Sequence, residues 1–487
     1  MRKTRDGTGH LEAGASASQA TMSPAIARTD ADESLALARA VAESVREAGG
    51  RALIVGGWCR DRLLGRASKD IDLEVFGLPA DRLRVLLERF ETVQTVGESF
   101  TVYKIGTIDV ALPRRESKIA RGHRGFEVRG DPDMSFEEAG RRRDFTINAI
   151  GFDPLTGDWL DPFGGRADLD RRLLRAVDRR TFGDDSLRVL RAVQFAARFE
   201  LAVDAGTAAR CRDIPLDDLP AERVWGEFEK LLLRAGRPSI GFGVALDLLV
   251  VDRLFPELRA LVGCVQEPDW HPEGDVWAHT LLVIDNAVGQ STDLDRARKL
   301  TIMLGAVCHD FGKPATTEFA DGRVRSFNHE EAGVAPTLRF LDRLNVHTID
   351  GFPVRTHVAG LTAHHLKPGM WYKVRDQVGD GAFRRLAQKV DLELLARLAR
   401  ADCIGRTGDF DCSAMDWFVA RARSLGVEHR PPARLLLGRH LLALGVAPGP
   451  RMGEVLKRVY ERQLDGDITT VDQAIAAARE ILGEKGQ

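Results

Sequence analysis

The stretch Gly56–Gly77 reads GGWCRDRLLGRASKDIDLEVFG: a glycine pair closing an apolar run, an Arg-Asp step, then two aspartates flanking one isoleucine. In a strand alternate residues share a face, so Asp70, Asp72 and Glu74 are predicted to point one way while Ile71, Leu73 and Val75 enter a core. Two carboxylates about 6–7 Å apart on one face can share hard divalent cations. That arrangement suits two-metal nucleotidyl or phosphoryl transfer. Asp109, in TIDVAL, is a candidate third carboxylate from a neighbouring strand. Gly56 and Gly57 lie between a predicted strand, RALIVGG, and a short predicted helix. Lacking Cβ, they let backbone amides approach phosphates, and a helix N-terminus favours anions. Arg60, one helical turn on, is a candidate contact to the same phosphates. A D-x-D alone is more often a solvated strand; joined to the upstream glycine turn it points to nucleotidyl transfer.

The surrounding chain is ordinarily globular. It has 487 residues, 44% apolar and 29% charged, with a formal net charge of −2. This length predicts several domains with substantial cores. Near-neutrality confines any nucleic-acid surface to a local patch. The cysteines (Cys59, Cys211, Cys264, Cys308, Cys403 and Cys412) form no C-x-x-C and are expected to be reduced. No apolar run is long enough to span a bilayer and no signal-peptide core stands out, so a soluble, cytoplasmic protein without a membrane partner is expected.

Residues 1–33 are small and polar and are expected to be disordered. Helical periodicity begins at Glu33, in ESLALARAVAESVREAG. Alternating strand and helix signals then predict an α/β head over 34–178. Inside it the charged, glycine-punctuated segment Pro113–Gly140 is expected to be a mobile loop or an ordered insertion. Beyond Asp178 amphipathic helices dominate; in ERVWGEFEKLLL, Val224, Trp225, Phe228, Leu231 and Leu232 share one side.

The stretch GDDSLRVLRAVQFAARFE places Asp185, Arg188, Arg191 and Arg198 on one side at helical spacing. On spacing alone an ordinary salt-bridged surface is favoured. A carboxylate that accepts from an exocyclic amine, next to a guanidinium that donates to a ring nitrogen, would nevertheless accept cytosine and adenine and reject uracil and guanine. Asp185 and Arg188 are therefore candidate base readers, selecting CTP and ATP without a nucleic-acid template.

At these residues the chain resembles the class II tRNA nucleotidyltransferases, the CCA-adding enzymes of the polymerase-beta superfamily. The matching stretches are GGWCRDRLLG, KDIDLEV, RRRDFTINAIGFDP, DPFGGRADLDRRLLRAV and DDSLRVLRAVQFAARF, in family order between Ala52 and Phe199. The resemblance implies that Asp70 and Asp72 are the catalytic carboxylates and carry Mg²⁺, and that Gly57 and Arg60 contact the triphosphate. It implies that Arg143, Asp144 and Asn148 contact the nucleotide where head joins neck, and that Asp185 and Arg188, with Arg191 beside them, read the base. Two positions depart from the family: Asp184 replaces a glutamate, and Gln194 stands where many members have arginine. The implied reaction is attack of the tRNA 3′ hydroxyl on the α-phosphate of CTP or ATP, adding C, C and A and releasing pyrophosphate.

Further on, HPEGDVWAHTLLVID and LGAVCHDFGKP bring His279, His309 and Asp310, and RADC brings Asp402. Imidazoles and carboxylates on helices suit divalent ions such as Mn²⁺, Ni²⁺, Fe²⁺ or Mg²⁺. The H…HD…D order resembles the HD phosphohydrolase superfamily, whose metal activates water. Some CCA-adding enzymes carry such a domain, with phosphatase and cyclic phosphodiesterase activity. His329 and one of His364 and His365 are candidates for a second ion. The expected architecture is thus an α/β nucleotidyltransferase head (34–178), an all-α neck for RNA binding (179–265), an HD-type body (266–425) and a helical tail (426–487). The expected partners are tRNA, CTP and ATP, with the chain a monomer or homodimer. The competing readings are an A-adding-only or CC-adding-only transferase, an RNA-end phosphohydrolase and a non-catalytic RNA-binding protein. The intact aspartates count against the last two.

Overall fold

The computed structural model of the chain describes residues 24–90, 92–96, 102–118 and 126–483. Two compact units result, the first ending at Leu169 and the second beginning at Asp170. The expected head boundary at Asp178 falls just inside the second unit, and the expected neck, body and tail lie together within it.

The first unit is built on strands β1 (Arg51–Val55), β2 (Ile71–Phe76), β3 (Gln94–Val96), β4 (Val102–Ile105), β5 (Ile108–Ala111), β6 (Arg114–Lys118), β7 (Phe126–Gly130), β8 (Gly151–Phe152) and β9 (Trp159–Leu160). Seven of them form one sheet in the order β3-β4-β5-β2-β1-β8-β9. Its pairs are antiparallel except β2 and β5, which run parallel with Asp72 beside Asp109. The alternation read from the sequence holds: Ile71, Leu73 and Val75 are buried, as are Ile108 and Val110. Helix α1 (Pro24–Glu47) buries Ala38, Val41, Ala42 and Val45, and α2 (Gly57–Leu63) follows directly on the Gly56 turn.

Two expectations change here. The first helix begins at Pro24, so Pro24–Glu33 is not a disordered extension. Proline at a first helical position is pre-set for helix, and PAIARTDADES contains alanines enough to propagate it; residues 1–23 lie outside the described residues. The segment Pro113–Gly140 contains the antiparallel hairpin β6–β7, paired from Arg114↔Gly130 to Lys118↔Phe126, while residues 119–125 lie outside the described set. A capping box between Ser135 and Glu138 then starts the short helix Phe136–Arg141.

Among the described residues the second unit is helical apart from two short strand pairs, one of them the hairpin of Thr317–Ala320 with Arg323–Ser326. The Leu187–Phe199 helix packs against Ala221–Arg234 and Pro238–Asp247. A cluster of Phe228, Phe242, Phe255 and Phe340 rings, with centroids 5.5–5.9 Å apart, joins that layer to the helices that follow. Val276–Gly289, Arg296–Cys308, Val354–His364 and Leu392–Ile404 form the next packed group. The last helices, Pro450–Asp465 and Val471–Gly483, close over their own core of Val455, Val459, Ala474, Ala478 and Ile481. The expectation of reduced cysteines is corrected for one pair: Cys403 and Cys412 form a disulfide. Their spacing matches no sequence signature; the turn after Asp402 brings the two sulfurs together. No helix among the described residues is long and apolar enough to cross a membrane.

Candidate active sites

Asp72 stands near the start of β2, paired with Val55 of β1 and Asp109 of β5; Asp70 is the exposed residue just before the strand. Desolvation pushes the Asp72 carboxyl up to about 6; Arg143 opposes the shift, and the charges of Asp109, Asp70 and Glu74 add to it. A carboxylate raised by its acidic neighbours in this way is a fit for divalent cations, which relieve the repulsion. Glu74 shares their face but is withdrawn from the set. It is buried, and its two oxygens accept from Arg142 Nη2 at 3.1 Å and Arg143 Nη2 at 3.2 Å.

The glycine turn lies against these groups. Gly56 has φ +72°, and a Cβ there would sit 3.4 Å from Arg143 Nη1 and 3.5 Å from Asp72 Oδ2. Any side chain at Gly56 would be strained and would fill the approach to the carboxylate. Arg60 is buried: its Nε and Nη2 donate to Asp61, and its Nη1 donates to Asn148 Oδ1 at 2.6 Å. Asn148 Nδ2 donates to Asp144 Oδ1 at 2.9 Å, and Arg143 Nη1 donates to the Asn148 carbonyl at 3.3 Å. Arg60, Arg143, Asp144 and Asn148, far apart in sequence, therefore form one hydrogen-bonded network next to the aspartates.

In the second unit Asp185 differs from the helical spacing expected of it. It is extended and lies ahead of the helix, which starts at Leu187. Arg223 clamps it with two donors, at 3.1 and 3.0 Å. Arg188 donates to the Thr181 carbonyl and lies over the Phe182 ring, and Arg191 lies over Phe195 and 4.0 Å from Glu227. Asp185 and Arg188 are neighbours held by separate partners, which fixes both without each neutralising the other. Arg223 was not singled out in the sequence. Its signal was the basic position early in the ERVWGEFEKLLL helix.

The imidazoles and carboxylates of the HD-like stretches converge completely. His279, His309, Asp310 and Asp402 are all buried. His279 Nε2 lies 3.0 Å from Asp402 Oδ1, and His309 Nε2 lies 3.2 Å from Asp310 Oδ2. His309 Nδ1 faces the Ala306 carbonyl at 2.9 Å, which assigns the proton to Nδ1 and leaves Nε2 a bare acceptor. His309 Nε2 is buried without a hydrogen bond and faces the Asp310 carboxylate, an arrangement that suits a cation. Burial alone would raise the Asp310 carboxyl; His309 and Lys313, with His329 beyond them, outweigh it and hold Asp310 well below the carboxylate range. Asp402 is likewise held low against burial, chiefly by its hydrogen bond to His279.

Two further residues complete this centre. Glu273, in HPEGD, bridges His271 Nδ1 at 2.9 Å and His279 Nδ1 at 2.7 Å. Its carboxylate is set to hold the proton on His279 Nδ1 and aim Nε2 inward. Lys313, seven percent exposed, puts its ammonium 2.8 Å from Asp310 Oδ2 and donates to Gln266 at 2.5 Å. The H-x-E pattern before the helix and the lysine of HDFGK were the available signals for Glu273 and Lys313. The centre opens on a cavity of about 500 Å³ lined by Trp270, Tyr372, Phe410, Lys313, Arg406 and Asp402, among others.

Residues 52–175 match the family model described as the Poly A polymerase head domain, and 276–406 match that of the HD domain. A "Multifunctional CCA protein" of Thioalkalivibrio sulfidiphilus is 36% identical over 427 residues, which is 84% of this chain and 98% of that protein. One of Pasteurella multocida is 38% identical over 312 residues, covering 61% and 71%. Among solved structures, the Thermotoga maritima CCA-adding enzyme complexed with tRNA_CCA aligns with a TM-score of 0.55 at 19% identity, covering 95% of this chain and 96% of that one. The Bacillus stearothermophilus CCA-adding enzyme with CTP aligns with a TM-score of 0.53 at 22% identity, covering 96% and 100%. These structural likenesses speak to the fold.

Proposed function

Since the chain belongs to the multifunctional CCA protein family, we infer that it matures or repairs tRNA by adding CCA to the 3′ end from CTP and ATP. It is a tRNA nucleotidyltransferase whose partners are tRNA and the two nucleotides. The observation that carries the reading is Asp72 beside Asp109 and Asp70, with the positive-φ Gly56 turn laid against its carboxylate.

In this proposal Asp70 and Asp72 hold Mg²⁺, which when bound activates the attacking 3′ hydroxyl and neutralises the leaving pyrophosphate. Gly56 and Gly57 leave room for the triphosphate. The Arg60–Asn148–Asp144 network keeps that turn in register, and Arg143 balances the charge of Glu74 and Asp72. Asp185, fixed by Arg223, accepts from the exocyclic amine that cytosine and adenine share. Arg188 donates to the adjoining ring nitrogen, and Arg191 stands beside them.

His279, His309, Asp310 and Asp402 hold a divalent ion of the Mn²⁺, Ni²⁺ or Mg²⁺ kind, which when bound supplies an activated water for phosphate-ester hydrolysis. Lys313 and Arg406 supply positive charge for the phosphate, and Trp270, Tyr372 and Phe410 give the cavity aromatic walls. The working division is a head over 34–178, a neck over 179–265, an HD body over 266–425 and a tail over 426–487.

The transferase reading is tested by offering the purified chain tRNAs ending at the discriminator base, at C and at CC, with labelled CTP and ATP. CCA addition predicts CTP incorporation on the first two and ATP incorporation on the third. ATP incorporation restricted to the CC-ended tRNA, with no CTP used on any, would replace it with A-only addition.

A further inference from the structure

We propose that the Cys403–Cys412 disulfide is a redox latch on the HD cavity: joined, it holds the segment 406–411 against the cavity, and its reduction releases that segment and weakens substrate binding. Cys403 directly follows Asp402, near the end of the Leu392–Ile404 helix, and Cys412 stands just before the next helix, Ser413–Ser424. The bond thus closes a short loop whose two ends are helix termini. Arg406, Phe410 and Asp411 of that loop line the cavity, as do Asp402 and Cys403 themselves.

Among the described residues little else fastens the loop. Residues 405–412 belong to no helix or strand, and Thr407, Gly408 and Asp409 are exposed. Gly405 is the fixed end, since a Cβ there would come within 2.7 Å of Val283 Cγ2. Beyond it Arg406 Nη2 stands 3.8 Å from Asp402 Oδ1, its guanidinium lies 5.6 Å from the centre of the Phe410 ring, and its Nε is buried without a hydrogen bond. Thr407 N reaches Glu273 Oε2 at 3.4 Å. Phe410 and Cys412 pack on a small cluster of Ala399, Cys403, Ala414 and Met415, to which the disulfide itself contributes. A segment with so few buried apolar contacts opens at low free-energy cost once its covalent tie is lost.

The chemistry is thiol–disulfide exchange with a dithiol. One thiolate of the reductant attacks the Cys412 sulfur, half-buried where Cys403 is buried, and Cys403 leaves as a thiolate that takes up a proton. The second reductant thiol attacks the reductant's own sulfur in the mixed disulfide, frees Cys412 as a thiol and departs as a cyclic disulfide. Two electrons pass from the dithiol to the protein; a small disulfide such as oxidised glutathione takes them back. The other cysteines are poorly placed to intervene. Cys59, Cys211 and Cys308 are buried, and desolvation raises all three thiols, Cys211 to about 12. It raises half-buried Cys264 as well.

This inference rests on the reading of the cavity as a hydrolytic site, and the test separates the two. Full-length protein is equilibrated with oxidised glutathione or with dithiothreitol, and the reagent is removed by gel filtration so that it cannot strip the metal. Thiols are counted after denaturation, trypsin cleavage after Arg406 is timed by mass spectrometry, and hydrolysis of p-nitrophenyl phosphate is measured with Mn²⁺. The oxidised chain should show four thiols and the reduced chain six. Reduction should speed cleavage after Arg406 and raise KM by about tenfold, the scale of one hydrogen bond to a charged group, with kcat little changed and nucleotide incorporation unaffected. Cys412→Ser should behave as the reduced chain after either treatment, and the two states of the parent remain decisive even where that variant does not fold. Six thiols after oxidised glutathione, or equal cleavage and equal KM in the two states, overturns the latch. A parallel fall in nucleotide incorporation overturns it too, as general unfolding. No hydrolysis in either state overturns the hydrolytic reading, while faster cleavage after Arg406 on reduction would still uphold release of the segment.

Discussion

Glu273 shows how much one buried side chain can settle. Its carboxylate is held near 2, the hydrogen bonds from His279 and His271 outweighing the opposing effect of burial. It therefore stays ionised and keeps a proton on His279 Nδ1, which directs Nε2 toward Asp402 and the candidate metal position. Such outer partners typically change metal affinity by about 10- to 100-fold. Glu273→Gln keeps the shape and removes the charge, so Mn²⁺ affinity at the HD centre should fall by about tenfold or more while nucleotide incorporation by the head is unchanged. Isothermal titration decides it, and an affinity equal to the parent's would reduce Glu273 to a packing residue. Arg223 plays a comparable part for Asp185, and the pair of Arg142 and Arg143 does so for Glu74. Arg223 and Arg142 escaped the sequence reading because each acts on a partner distant along the chain.

Helices and turns carry the candidate ligands, and their contacts set the tolerance for change. Helix Leu392–Ile404 delivers Asp402, Val276–Gly289 delivers His279, and the end of Arg296–Cys308 delivers His309 and Asp310. The tightest joint is Gly312, where an added Cβ would meet not only the His329 oxygen but also Gly333 N at 2.6 Å. Backbone atoms cannot swing aside as side chains can. Gly312→Ala should therefore displace the His329 helix, costing about 1–3 kcal/mol of stability as other overpacked positions do and weakening HD hydrolysis. Thermal unfolding and phosphatase assays measure both; a variant matching the parent in each would show that the joint is slack. The helix pattern was readable from periodicity, but Asp185 was not: its position one turn before Arg188 looked helical, whereas its backbone is extended.

The division into two units implies that the two chemistries are separable. Asp72→Asn should abolish incorporation of CTP and ATP and leave phosphate-ester hydrolysis intact. Asp310→Asn, which keeps the side-chain volume beside buried Lys313, should do the reverse. Both activities are measured on each full-length variant. Parallel loss of both from either change would mean one shared site or a common folding failure. The separation has a physical basis, because each set of candidate ligands lies within one unit: Asp70, Asp72 and Asp109 in the first, His279 to Asp402 in the second.

Residues close along the chain left their chemistry in the sequence: the Asp70–Asp72 pair, the Gly56 turn, the His-Asp step, and the alternation that buries Ile71, Leu73 and Val75. Periodicity and short motifs encode which way neighbouring side chains point. The folded molecule alone decided that Glu74 is consumed by arginines, that His365 and not His364 enters the cavity, and that Cys403 and Cys412 are joined. Those outcomes depend on which helices and turns meet, and packing between distant segments is fixed by the shape of the whole core, which no local spacing records.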